Sequence, residues 1–420
     1  MKNSLWVIAI LFLTFLPAKA GDSANSNVVD ASTLRHKVMC GYQGWFNTAG
    51  DGTNLGWIHW SQGNVLTPKT VHVEYWPDLS EYTQEERYPV PGFTYPDGSP
   101  AELYSAHNPR TVLRHFEWMR DYGIDGVWLQ RFVVGLPGGP VVKRYPALLD
   151  VLHNVRDAAS QTGRVWALSY DIAQMPTGKI YDALISDWKK MVDEKITADP
   201  RYVHEGGLPV VQIWGFYYHN DNNGMTAEVA NKLIDFFETP GPYQALLVGG
   251  GDWTWRTNPD PEWQKVFHRF KVYVPWNVGN YSIDKTGVSR ASMGSWKKDK
   301  QQCDSQGTLW IPVVFPAVSC NNLKHEPWGK HTTPRRGGNF LWEQFHTLST
   351  MGGIDTVYLA MFDEMDEGTA ILKVTNTPPT QAHFLTYEGL PSDWYMRLVG
   401  TGEKMLRDKT PIPEKIPIKP

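Results

Sequence analysis

The sequence predicts an α/β fold: a single (β/α)8 TIM barrel with an elaborated first βα-loop. Three observations carry this. Eight short runs, most of them continuous in apolar residues, recur between residues 36 and 362, as parallel strands covered on both faces do. A helical stretch follows each run in order, which is the repeat of a barrel. The chain has 420 residues, 41% hydrophobic and 20% charged. That composition excludes a disordered chain, a collagen and a coiled coil, and the length fits one large barrel.

The strand candidates are 36–42, 124–132, 164–171, 208–215, 245–250, 271–278, 309–316 and 356–362. The first helix opens at Asn108-Pro109, a cap followed by a first-turn proline, and Val112, Leu113, Phe116 and Met119 make its buried stripe. Further helices are predicted over 147–159, 181–196, 227–238 and 261–270, then a polar stretch over 282–302, then 339–350 and 393–407. Asp252 and Asp260 are placed to act near helix starts. Residues 43–108 are rich in Gly, Pro, Asn and Asp and hold one strand-like run, 71–76, with no helix after it. The whole stretch reads as the first βα-loop, with room for a short hairpin, on the catalytic face of the barrel. The barrel should span 36–410, with loose polar or Pro/Lys-rich segments at 21–35 and 411–420.

The N-terminus carries Lys2, an apolar run over 5–16 and then Pro17-Ala18-Lys19-Ala20. This is the pattern of a secretory signal peptide over 1–20, and it predicts an exported protein, periplasmic or secreted. The run is too short to cross a bilayer of about 30 Å as a helix, and no other segment is long and apolar enough. A net charge of −4 gives no footprint for nucleic acid. The three cysteines, Cys40, Cys303 and Cys320, show neither CxxC nor zinc spacing. Either Cys303 and Cys320 pair, or all three are buried thiols.

Strand ends at the C-terminal face build a barrel's site. Here they supply Tyr42, Gln130, Arg131, Tyr170, Asp171, Trp214 and Trp276, with Trp45 just beyond the first strand. Gly249-Gly250-Gly251 lacks the Lys and the spacing of a phosphate loop. An aromatic and acidic set in a chain with 19 Trp, 19 Tyr and 16 Phe suits neutral carbohydrate: rings stack on sugars and carboxyls move protons. Trp45, Trp214 and Trp276 are candidate sugar platforms or plain core. Asp171 can hold a sugar hydroxyl or cap a helix. Arg131 can meet a carboxyl in the site or close a salt bridge in the barrel wall. His204, His219 and His325 are loop histidines within possible reach of a substrate.

After the last strand run come Asp363, Glu364, Asp366 and Glu367. Glu364 and Glu367 are three apart, which puts them on one face only if the chain turns, and Gly368 permits a turn. Two carboxyls held close in a partly dry cleft repel, so one pKa rises; that separates an acid from a base, as glycoside hydrolysis requires. The other readings are a solvated acidic loop, or a calcium site using Asp363, Asp366 and Glu367.

Several segments resemble glycoside hydrolase family 99 and the family 71-like barrels, a group that includes endo-α-mannosidases. They are Gly41-Tyr42-Gln43-Gly44-Trp45-Phe46, Tyr122-Gly123-Ile124-Asp125-Gly126-Val127-Trp128, the stretch 335–345, and Phe362-Asp363-Glu364-Met365-Asp366-Glu367-Gly368-Thr369. The last resembles the family's Asn-Glu-x-x-Glu-Gly-Thr signature. The resemblance implies a retaining hydrolase without cofactor, working through a 1,2-anhydro sugar. Glu364 would be the base on the 2-hydroxyl and Glu367 the general acid/base. Asp171 falls where the family places a substrate-binding Glu. The chain departs from the pattern at Asp363, where the family has Asn, at Met365-Asp366, which replaces an aromatic and a His-like pair, and at Gln130-Arg131-Phe132, where the mannosidases have a Trp-rich run. These positions touch substrate binding, so specificity stays open between α-mannosidase-type and xylosidase/arabinosidase-type. From a different class, a non-catalytic carbohydrate-binding protein on a degenerate barrel would keep the same aromatic and acidic rim.

Overall fold

The structure, a computed structural model, describes residues 28–420 apart from 221–222, 331 and 355. The predicted leader and the first residues after it lie outside the described residues. Residues 28–35, expected to be loose, are pinned to the barrel. Val29 N–H donates to Gly163 O at 2.9 Å and Leu34 N–H to the Glu205 carboxylate at 2.7 Å.

Among the described residues, eight parallel strands form the barrel. They are β1 (Lys37–Tyr42), β2 (Gly126–Phe132), β3 (Val165–Asp171), β4 (Leu208–Phe216), β5 (Leu246–Asp252), β6 (Val272–Trp276), β7 and β8 (Thr356–Leu359). β7 comes in two pieces, Leu309–Trp310 and Val313–Val314. Each strand neighbours the next, and β1 pairs with β8, Lys37 opposite Thr356. The ring closes through the divided β7: Leu309 pairs with Val272 on one side and Val313 with Tyr358 on the other. Pro312 between the pieces has no N–H to donate, so an unbroken ladder is impossible there.

The helices on the outside are α1 (Pro109–Tyr122), α2 (Tyr145–Thr162), α3 (Ile180–Asp193), α4 (Ala227–Glu238), α5 (Pro261–Phe267), α6 (Trp296–Gln306), α7 (Asn339–Met351) and α8 (Trp394–Arg407). Local chemistry sets their ends. The Asn108 side chain accepts from Arg110 N–H at 3.0 Å with Pro109 in the first turn, and Gly123 closes α1 at φ 79°, a left-handed angle that suits glycine. Asp260 caps α5 by accepting from Glu262 N–H at 2.9 Å. Asp252 instead caps a turn, accepting from Thr254 N–H. Val112, Phe116 and Met119 are buried, whereas Leu113 is only partly so.

Three expectations change. The polar stretch 282–302 is not one helix: it is a hairpin, Tyr281–Ile283 with Ser289–Ala291, followed by α6. The hairpin of the long first loop is Tyr88–Thr94 with Pro100–Leu103; residues 71–76 form only isolated bridges. The tail is strapped down, with Trp342 Nε1 donating to Pro413 O at 2.9 Å and Ile412 buried. Cys40, Cys303 and Cys320 are all free and buried, so the Cys303–Cys320 bridge does not form. No described helix is long and apolar enough to cross a membrane.

Candidate active site

After β8 the chain turns sharply under the barrel mouth. Thr369 and Ala370 N–H both donate to Glu364 O, at 3.2 and 3.1 Å. Gly368 sits at φ 64°, and a Cβ there would meet Ser319 N at 2.9 Å, so only glycine fits both the angle and the space. The turn is braced from behind. Arg335 donates to Gly368 O and Ala370 O at 2.9 and 2.7 Å, and its guanidinium lies 4.4–5.0 Å from the rings of Tyr75, Tyr387 and Tyr395. Glu74, in the strand-like run 71–76, donates its N–H to Met365 O at 2.8 Å.

The acidic run divides into distinct jobs. Asp363 is buried, and its two oxygens accept from the N–H groups of Gln43 and Gly44 at 2.7 and 2.9 Å. It ties the first loop to the last and does not line the cavity, so it is a brace rather than a substrate contact. Among the described residues no three His, Cys, Asp or Glu side chains are grouped to hold a metal ion, so the alternative calcium site of Asp363, Asp366 and Glu367 does not assemble. Glu364 accepts from Gln43 Nε2 at 2.8 Å and from Thr369 Oγ1 at 3.2 Å. Glu367, partly open, shares the cavity with Glu364 and Asp366.

That cavity measures about 500 Å³ at the C-terminal mouth. Its floor is a polar row in register across β2, β3 and β4, made by Gln130, Ser169 and Gln212. Gln130 is held in place: it donates to Tyr358 OH at 2.9 Å and accepts from Ser169 Oγ at 3.4 Å, which leaves one N–H and one lone pair of its amide. Trp214 and Trp276 meet edge to face at 6.2 Å and line one wall. Asp171 lines it as well, accepting from Ala173 N–H at 2.7 Å. Around this space Gln43 Oε1, the Gln212 amide, Trp45 Nε1, Trp214 Nε1 and Asp366 Oδ1 are buried with no partner. Unmet polar atoms cost roughly 1–3 kcal/mol each. A polyol, with donors and acceptors on every carbon, is the kind of ligand that meets such a set.

Burial raises every carboxyl here. Glu364 is pushed well above its ordinary value by burial and by repulsion from Glu367, Asp366 and Asp363, with the Thr369 hydroxyl opposing. Glu367 is raised to about 7 by burial and then Asp366, with Lys324 opposing. Asp171 is raised to about 7 by burial, against the Ala173 N–H and helped by Glu367. Asp363 and Asp366 are also raised to about 7, chiefly by burial. Burial and the charge of Arg144 keep His59 well below its ordinary value, hence neutral. Its Nδ1 lies 3.2 Å from Asp366 Oδ2 and its Nε2 3.4 Å from Arg144 Nη1. In a neutral ring, Nδ1–H then donates to Asp366 while Nε2 accepts from Arg144.

Three predicted contacts face away from the cavity. Tyr42 hydroxyl bonds His115 Nδ1 on α1 at 2.9 Å. Arg131 holds Asp187 on α3 through Nε and Nη2 at 2.6 and 2.7 Å, and Tyr170 OH donates to the same carboxylate at 2.8 Å. Successive strand residues alternate in direction; with Gln130, Ser169 and Asp171 inward, Arg131 and Tyr170 must point to the helices. His204 bonds Tyr202 O away from the mouth, His325 does not line the cavity although it lies 5.8 Å from the ring of His72, which does, and the His219 side chain lies outside those described. Sequence reasoning missed Gln43, His59, Arg144 and Gln212. Gln43 stood inside a quoted motif; His59 lies in an irregular loop with no pattern to mark it.

The fold is paralleled in a solved structure. The solved structure of the family 99 endo-α-mannosidase from Bacteroides thetaiotaomicron matches with a TM-score of 0.67 at 15% identity, covering 90% of this chain and 99% of that one. The mouse glycoprotein endo-α-1,2-mannosidase-like protein is 23% identical over 367 residues, 81% of this chain and 71% of that protein. The chain is related to the family 99 endo-α-mannosidases. The relation is distant: Xenopus laevis glycoprotein endo-α-1,2-mannosidase is 21% identical over 331 residues, 75% of this chain and 66% of that protein. No family model matches the chain. The structural likeness carries the barrel; what the site does rests on its own residues.

Proposed function

We propose that this protein is a retaining glycoside hydrolase acting on a polysaccharide or glycan. The observation that carries the reading is the Glu364–Glu367 pair: two carboxyls on one braced turn, both with raised pKa, facing a ring-walled cavity with unmet polar atoms. The names of the distant relatives support it.

The reaction needs Glu364 charged and Glu367 protonated when substrate is bound, although burial raises both carboxyls. Two donors, Gln43 Nε2 and Thr369 Oγ1, already favour the charged form of Glu364. A substrate 2-hydroxyl adds a third and leaves the proton on Glu367. Glu364 then takes the 2-hydroxyl proton, and O2 attacks C1. The C1–oxygen bond to the leaving group breaks as Glu367 protonates that oxygen. In the second half Glu367 removes a proton from water, whose oxygen attacks C1. The C1–O2 bond opens and Glu364 returns its proton to O2. Two inversions give retention. Asp171, at the end of β3 and lining the same cavity, serves as a hydroxyl contact.

Normal turnover of a 2-deoxy substrate would contradict this route. Retention of a glycan by wild type and Glu367→Gln alike, with no products from either, would favour the carbohydrate-binding alternative. The sugar is to be read from a panel spanning α-mannosides, xylosides and arabinosides. Export belongs to the same proposal, checked by N-terminal sequencing of the exported protein, with Gly21 expected first.

A further inference from the structure

One flank of the cavity does not suit a sugar. Phe132, Val134, Val141 and Leu148 reach it half-buried, from the end of β2, the loop after it and the start of α2. Val151 is packed behind Gly44, and Leu148 behind Gly135. Trp45 joins this flank, 5.0 Å from Phe132. One face of its ring is covered by His59, stacked at 3.6 Å and 5°, so Trp45 is not a free two-sided platform. Aliphatic walls leave sugar hydroxyls without partners, which disfavours a pyranose there. Apolar side chains held open in a cleft instead mark a place for an apolar group.

The same flank holds the one Lys or Arg among the cavity's lining residues. Arg144 makes no ion pair among the described residues; its Nε is buried without a partner, and Nη1 has only the neutral His59. His59 stands between it and Asp366, so no carboxylate cancels the guanidinium directly. Arg144 also occupies the N-terminal end of α2, where the helix dipole opposes a cation. A half-buried cation that no described carboxylate contacts directly fits an anion arriving from outside.

We propose that this flank binds an apolar group bearing a carboxylate, aryl or acyl, joined to the sugar whose bond is cut. The proposal rests on the hydrolase reading and deepens its substrate class. The polar floor and the acids take the sugar; the aliphatic flank takes the attached group, and Arg144 its charge.

The test uses titration calorimetry with methyl, phenyl and 4-carboxyphenyl glycosides of mannose, xylose and arabinose. In at least one sugar series phenyl should bind about tenfold tighter than methyl, and 4-carboxyphenyl about tenfold tighter again. Arg144→Met should abolish the second gain and spare the first, and Arg144→Lys should keep part of it. Leu148→Asn, with Val141→Ser as a second variant should the first fold poorly, should reduce the phenyl gain. Equal binding of all three probes, no binding of any, or a carboxylate gain that survives Arg144→Met would overturn the proposal. Glycan hydrolysis without discrimination among the probes sinks this flank's role and leaves the hydrolase standing. The predicted binding order without hydrolysis of any glycan does the reverse.

Discussion

Glu364 takes two hydrogen bonds on its carboxyl, whereas no described residue donates to that of Glu367, and in the proposed mechanism this difference divides the labour between them. Glu364→Gln and Glu367→Gln should each lower kcat by roughly 10²–10⁴, read from initial rates, without lowering the melting temperature. The acids also set a pH dependence. Asp171, Asp363, Asp366 and Glu367 are raised to about 7 in the folded chain, against about 4 unfolded. Between those values the folded state holds protons that the unfolded state has released, so stability falls as pH rises. Calorimetry should show a melting temperature lower by a few degrees at pH 8 than at pH 5, and a smaller difference in Glu364→Gln; a rise with pH over that window contradicts the burial argument. The spacing of Glu364 and Glu367 and the strand-end position of Asp171 were legible in the sequence. The inward or outward sense of Tyr42, Arg131 and Tyr170 was not, because a strand apolar on both faces carries no alternation to fix its parity.

At the scale of elements, the acidic turn is held by parts far from it in sequence. Arg335→Met should cost roughly 3 kcal/mol, since it leaves the carbonyls of Gly368 and Ala370 without their charged donor; urea unfolding measures the stability and initial rates the accompanying loss of activity. Asp187→Asn should cost roughly 3–5 kcal/mol by leaving Arg131 charged and buried between β2 and α3. In conditions where that variant stays folded its KM should match wild type, because neither residue lines the cavity. Helix boundaries were readable wherever a cap announced them, as at Asn108 and Asp260. The run 71–76 resembles a strand but finds no ladder partner, while the true hairpin carries Pro89 and Pro91, which hide a strand from propensity.

For the molecule as a whole, closing the barrel is what makes the site. The bond from Gln43 N–H to Asp363 joins residues 320 apart in sequence, and it exists because β1 pairs with β8. The order of eight strand–helix units could be read directly, since each unit is local. The cavity's apolar flank could not, because it forms where the loop after β2 and the start of α2 meet the first loop, and no spacing in the chain records that meeting. The account's central claim is that this cavity hydrolyses glycosidic bonds through Glu364 and Glu367. Its most direct test is chromatography of the sugars released from mannans, xylans, arabinans, glucans and fucans by wild type and by Glu367→Gln. The account predicts products from wild type on at least one glycan and at least a hundredfold fewer from the variant; products at equal rates from both proteins would contradict it.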